Sequence, residues 1–272
     1  MKFTIITPCK NAESYIEETV ASVLGQTAVQ SGRAELDYLI CDGNSTDDTL
    51  QRLSRFDSTQ IQIFTETDKS MYHALVKGFR RADGDIVAYI NAGDYYHPRA
   101  FDIVMDIFEQ RRCDWITGCN MFYSNNSYLI DFYLPFKYRR RFFKCGFYYN
   151  RLPRVQQEST FWRQSLMNHV DLDCLAKFSY AGDYYLWHEF SKRAELTIIC
   201  AYLGGFKVHK GQLSENKICY AQELFSIASQ PTLSDHALSI FDMIVSRSPI
   251  KIKKYFNPQG LLKYDHATST FV

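Results

Sequence analysis

From Lys2 to Gln110 the chain alternates short apolar runs with segments of helical period, four times over. KFTIIT (Lys2–Thr7), DYLIC (Asp37–Cys41), Ile61–Thr65 and Asp85–Asn91 have the length and β-branched content of strands. Between them, Tyr15, Ile16, Val20, Val23 and Leu24 fall on one helical face behind Asn11, a candidate cap. Leu50, Leu53 and Phe56 follow a Ser-Thr-Asp start, Met71–Ala82 turns Leu75, Val76 and Phe79 one way, and Pro98 opens a helix with Phe101, Val104, Met105 and Phe108. Such alternation predicts an α/β fold: a mostly parallel sheet flanked by helices. In these sheets ligands bind beyond the carboxyl ends of the strands. Those ends carry Thr7-Pro8, Asp42, Glu66-Thr67-Asp68 and Asn91-Ala92-Gly93-Asp94, so polar groups gather at one edge.

The glycine-rich cradles that hold nucleotides in many α/β folds, GxGxxG and GxxxxGK[ST], do not follow the first strand. Carboxylates offer another way to hold a nucleotide. Asp42 is placed to accept from a base edge, Asp68 to reach base or ribose, and Asp94 to ligate Mg²⁺ or Mn²⁺, hard cations that prefer oxygen. Each has a plainer reading: a turn residue beside glycine, an exposed loop acid, or a cap before the Pro98 helix.

The second half is less regular. Asp114–Cys119 is a candidate strand, and Tyr180–Glu189, Tyr220–Ala228 and Ser234–Val245 are helical patterns. Phe132–Arg154 holds Lys137, Arg139, Arg140, Arg141, Lys144, Arg151 and Arg154 among aromatics, reading either as a solvated edge or as a grip on anionic headgroups. Lys251, Lys253, Lys254 and Tyr255 in the tail extend the second reading to a peripheral membrane contact. Lys plus Arg total 31 against 30 Asp plus Glu, which sets no global field for nucleic acid. Eight cysteines without a CxxC pair argue against a zinc knuckle, and with no secretory leader they fit a reducing cytoplasm. No apolar run is long enough to span a bilayer.

The stretches TIITPCKNAESYIEETVASVLGQT, DYLICDGNSTDDTL, ETDKSMYHALVKGFRRADGDIVAYINAGDYY and, later, AGDYYLW resemble glycosyltransferase family 2, inverting sugar transferases of GT-A fold. The likeness covers residues 1–120 well and 155–210 more loosely. It implies a GT-A domain over 1–210, with a nucleotide-binding half to about 120 and an acceptor-binding half after it. Residues 211–272 are expected to form a helical, aromatic C-terminal extension.

The resemblance also implies a nucleotide-sugar donor, a UDP-sugar first among them, a divalent metal, and a glycan or polyprenyl-diphosphate-linked acceptor at the inner face of the membrane. It sets Thr7, Pro8, Asp42 and Asp68 at the nucleotide, Lys77 at the lysine of a KG pair, and Ala92 and Gly93 beside the metal ligand Asp94. Asp183 takes the place of the general base, although after Ala181-Gly182 it also reads as a helix cap. His209 is a further candidate for the metal or the diphosphate. Gln156, Gln157 and Glu158 are candidates for touching the acceptor or positioning the base. Departures from the family pattern are Asn91, which opens the DXD-type motif in place of an acid, His73, and Asn44 with Asp48. Two rivals stand beside this reading: a sugar-phosphate nucleotidyltransferase, whose basic glycine-rich loop PCKNAESY lacks, and a binding module without turnover.

Overall fold

In the computed structural model, which describes residues 1–209 and 211–272, β1 (Lys2–Cys9) is buried along all but its first residue. It pairs in parallel with β2 (Glu35–Asp42), which carries β3 (Ile61–Thr65) at its outer side; β4 (Ile86–Tyr89) flanks β1 on the other. The other strands of the two larger sheets are β5 (Tyr95–Tyr96), β6 (Trp115–Thr117), β7 (Asn120–Tyr123), β8 (Leu129–Tyr133), β9 (Thr160–Arg163), β10 (Thr197–Ile199), β11 (Gly204–Lys207) and β12 (Leu261–Leu262). The main sheet has the order β3–β2–β1–β4–β9–β6–β10–β12. Only β9 runs against its neighbours, so the sheet is mostly parallel, as the alternation predicts. A smaller sheet, β5–β11–β7–β8, stands beside it.

β1 continues two residues past the expected end at Thr7. Its register with β4 stops at Ile6, while that with β2 runs to Cys9. Pro8 therefore sits where the strand has one partner, and its missing N–H removes no ladder bond on the other side. Asn11 does not cap the Ile16–Leu24 helix. It adopts a φ of 50°, gives its N–H to Ser45 Oγ at 2.8 Å and accepts the Thr46 N–H at 2.9 Å, fastening the turn after β1 to the turn after β2.

The basic-aromatic stretch is largely interior. Tyr138, Phe142, Phe143, Phe147 and Tyr148 are buried, and three of the stretch's arginines are spent on the C-terminal segment. Arg139 forks onto Asp242, Arg141 bonds Asp235 at 2.5 Å, and Arg151 meets His236 at 3.1 Å. Arg140 binds the carbonyls of Ser191 and Lys192. The solvated-edge reading holds for the exposed Arg140, Arg141, Lys144 and Arg154, while Arg139, Arg141 and Arg151 also hold the Leu233–Ser246 helix against the body. The expected domain boundary at residue 210 lies outside the described residues; past it, residues 211–272 supply β12 to the main sheet.

Candidate active site

A cavity of about 790 Å³ opens at the carboxyl ends of β1–β4, between the two sheets. Pro8, Asp68, Ala92, Asp94, Asp183 and His209 all line it. Thr7, Asp42, Lys77 and Gly93 stand behind that lining. Thr7 is fully buried and shares a hydrogen bond with the Tyr38 hydroxyl at 2.9 Å. Asp42, also fully buried, accepts the Ser45 N–H at 3.0 Å and the Ser45 hydroxyl, which shapes the turn whose Gly43 reaches the cavity. Lys77 bonds Asp68 at 2.8 Å and Glu66 at 2.9 Å, and His73 Nδ1 meets Asp68 at 2.7 Å. Asp68 is thereby fixed at the cavity edge with a cation beside it.

Asp94 is reached through a turn that demands glycine. Gly93 has a φ of +109°, a region costly for side chains with a Cβ. Thr19 pins the turn by accepting the Gly93 N–H at 2.9 Å and donating to the Asp94 carbonyl at 2.7 Å. The Asp94 carboxylate accepts the Lys207 N–H of β11 at 2.9 Å, so it ties the two sheets and does not cap the Ala100–Gln110 helix. Burial pushes its carboxyl up to about 7. Glu158, buried nearby, is driven well above the usual carboxylate range by burial and then by the charge of Asp94. Its Oε1 has no hydrogen-bond partner among the described residues. The His209 ring stacks on Tyr15 at 4.4 Å, with Nε2 3.6 Å from the place a Cβ on Gly93 would take.

The opposite wall carries Asp183 in the first turn of the Gly182–Ser191 helix. Its Oδ1 accepts from the Tyr184 N–H at 2.7 Å, the Tyr220 hydroxyl at 3.0 Å and the Tyr72 hydroxyl at 3.4 Å. Burial raises its pKa, and these bonds oppose the rise by favouring the ionised form. Gly182 lets the helix approach this closely: a Cβ there would lie 2.4 Å from the Tyr72 ring. Glu223, from the Lys217–Ile227 helix, accepts the N–H groups of Ser179, Tyr180 and Ala181 at 2.8–2.9 Å, fixing the entry to the Asp183 turn. Arg154 lines the cavity with its guanidinium carbon 4.8 and 5.2 Å from the ring centres of Tyr149 and Tyr220.

Tyr72, Tyr220 and Glu223 are the supporting residues that sequence reasoning does not find. Tyr72 is the exception with a signal, since it opens the helix beside the acid of the ETDKSMYHA block. Tyr220 and Glu223 sit on an ordinary helical pattern that says nothing of a distant aspartate.

The model of the family described as glycosyl transferase family 2 matches residues 4–169. The chain belongs to that family. It is therefore a glycosyltransferase, and its large parallel sheet with a smaller companion is the GT-A arrangement. Among its relatives is the Escherichia coli UDP-Glc:alpha-D-GlcNAc-diphosphoundecaprenol beta-1,3-glucosyltransferase WfgD, 24% identical over 79% of this chain and 80% of that protein. The Escherichia coli chondroitin synthase is 24% identical over 66% of this chain, which spans only 27% of that longer protein. The putative teichuronic acid biosynthesis glycosyltransferase TuaG of Bacillus subtilis is 29% identical over 47% of this chain and 51% of its own. In fold, the chain resembles S. aureus TarS 1-349 in complex with UDP-GlcNAc, with a TM-score of 0.62 at 13% identity, covering 93% of this chain and 70% of the other. Among the described residues no helix is long and apolar enough to cross a membrane.

Proposed function

We propose that this family 2 glycosyltransferase moves one sugar from a nucleotide-sugar donor to a hydroxyl of a glycan or lipid-linked glycan, inverting the anomeric centre, in the synthesis of a surface polysaccharide. What carries the reading is the convergence of Asp94 and Asp183, from opposite walls, on one cavity. The nucleoside lies along Pro8, Asn11, Gly43 and Asp68, where the ends of three parallel strands meet. UDP is the first choice of nucleotide, since the names of WfgD and of the TarS complex carry it.

The donor set fits a divalent cation. Asp94 offers a carboxylate, His209 an imidazole nitrogen, and buried Glu158 an unpartnered carboxyl oxygen whose ionised form a cation would favour. Among the described residues no cluster of three His, Cys, Asp or Glu surrounds one point, so Mn²⁺ or Mg²⁺ held here takes its other ligands from diphosphate and water. Held by Asp94 and His209, such a cation would supply positive charge to a departing diphosphate. Asp183 removes the acceptor's hydroxyl proton as that oxygen bonds to C1 of the sugar. The bond from C1 to the diphosphate oxygen breaks with its electron pair, leaving the nucleoside diphosphate. The elevated pKa of Asp183 makes it a stronger base than a solvated aspartate.

The test is Asp183→Asn. Donor affinity, read by thermal shift with UDP-, GDP- and dTDP-sugars, stays as in the wild type, while turnover falls by roughly 10²–10⁴. Undiminished turnover removes Asp183 from the role of base.

A further inference from the structure

The Leu233–Ser246 helix carries apolar residues on both sides: Val245 is buried and Leu238 and Met243 pack partly buried against the core, while others face outward. Its two acids face inward: Asp242 receives Arg139 at 2.7 and 2.8 Å, and Asp235 receives Arg141 at 2.5 Å. Ser239 is fully buried between them. The outward face carries Leu233, Ile240 and Ile244, which are 89%, 48% and 65% exposed and fall on one stripe by their spacing. Phe241 extends that stripe through an edge contact to Phe256, ring centres 5.2 Å apart, on the Ile250–Phe256 helix. There Ile252 and Tyr255 are exposed as well. A helix packed on a water-soluble body ordinarily keeps its outer face polar. A contiguous apolar surface of this kind marks a contact with something other than water.

Charge says what that something is. Between Phe225 and Tyr264 the only acids are Asp235 and Asp242, both neutralised inside. Lys253 and Lys254 are turned onto backbone carbonyls, of Leu134 and of Pro258, Leu261 and Val272. Arg247 and Lys251, between and at the start of the second helix, are exposed and make no ion pair among the described residues. Arg247 and Lys251 thus belong to the same stretch of chain as the apolar stripe, a stretch whose two acids are paired inside. A second copy of the chain meeting this face with its own would bring Arg247 and Lys251 no partner of opposite sign.

We propose that this surface docks on an anionic lipid bilayer, with Leu233, Ile240, Ile244 and Tyr255 entering the headgroup boundary and Arg247 and Lys251 pairing with acidic headgroups. The inference does not depend on the sugar chemistry of the cavity.

Co-sedimentation of the full chain with vesicles tests it. Binding to vesicles containing phosphatidylglycerol exceeds binding to pure phosphatidylcholine by about tenfold or more and weakens as salt rises. Replacing Arg247→Gln together with Lys251→Gln lowers affinity for the anionic vesicles by roughly 30-fold, from about 1 kcal/mol per charge. Ile240→Asp with Ile244→Asp abolishes sedimentation. Both variants keep the wild-type melting temperature within about 2 °C, as surface changes do, and the same rate of donor hydrolysis, since none of these residues touches the cavity. Failure of the wild type to bind anionic vesicles, or equal binding by wild type and variants, overturns the proposal. A wild-type dimer in light scattering that Ile244→Asp dissociates, with no vesicle binding, assigns the face to a second copy and overturns it too.

Discussion

The wall of the cavity that carries Asp94 and the wall that carries Asp183 are built by different means. On the first, each lining group hangs from the end of a parallel strand: Pro8 and Asn11 at and after β1, Gly43 after β2, Asp68 after β3, Ala92 and Asp94 after β4. Backbone ladders set their spacing before any side chain contributes. On the second wall Tyr72, Arg154, Asp183 and Tyr220 come from separate helices and coils scattered along the chain. Side-chain bonds, not a ladder, hold Asp183: Tyr72 and Tyr220 on its carboxylate, and Glu223 on three peptide groups before it. A sheet edge can thus present one wall of the cavity from local sequence alone, while the facing wall depends on the C-terminal segment docking correctly.

The comparison breaks most visibly at Asp94. Asp94→Ala is expected to abolish the metal-dependent part of donor binding and to lower turnover by roughly 10²–10³ or more, the usual cost of losing charge stabilisation at a leaving group. A Mn²⁺ titration followed by thermal shift, with UDP-sugar present, reads the effect. A titration like that of the wild type would move the cation away from the strand-end wall.

The second wall should respond differently. Glu223→Gln withdraws charge from the acceptor of three N–H groups, and Tyr220→Phe removes a hydroxyl from Asp183. Hydrogen bonds to charged groups carry about 1.5–3 kcal/mol, so each variant is expected to lose roughly 10–100-fold in kcat, with donor affinity within about twofold of wild type. Tyr220→Phe has a further signature. Its hydroxyl favours the ionised carboxylate, so without it the Asp183 pKa climbs and the acidic limb of the pH–rate profile moves to higher pH. Equal losses in donor affinity and kcat would show that the two walls are not separable.

This contrast also explains what the sequence discloses. The first four strands, the helices between them and the mostly parallel sheet are legible because apolar period and strand-end polarity are local properties. Asp68, Asp94 and the turn at Gly93 are legible for the same reason. The antiparallel direction of β9 is not, since Thr160–Arg163 carries no mark of which neighbour it meets. Nor are the paired glycines Gly204 and Gly205: a Cβ on the first would lie 2.0 Å from the Glu158 carbonyl oxygen, a contact no local pattern foretells. The partners of Arg139 and Arg141 are not legible either, since the acids that meet them, 103 positions later in the case of Arg139 and Asp242, come from a segment folded back from the C-terminal end. Asn11 looks like a cap because caps are its commonest use; a φ of 50° and two bonds across to the next turn are tertiary facts.

The smallest expected effect is on stability, and it follows from the burial of Asp183. Burial makes its folded pKa higher than its unfolded one, so the native state holds the proton more tightly. Stability from this group is greatest below the ordinary carboxylate range and is lost as pH rises from there through the raised value. At pH well above that value the wild type bears the full cost of an ionised, crowded aspartate, eased only by the tyrosine hydroxyls and the Tyr184 N–H. An asparagine in its place would accept the same bonds through its amide oxygen and has no charge to desolvate. Asp183→Asn is therefore expected to raise the melting temperature of the ligand-free protein by roughly 1–4 °C at about pH 8, with the difference vanishing below about pH 4. Scanning calorimetry at the two pH values reads it. A variant less stable than the wild type at the higher pH would mean that the bonds converging on Asp183 outweigh its burial, making that wall a stabilising element and not one held against its own cost.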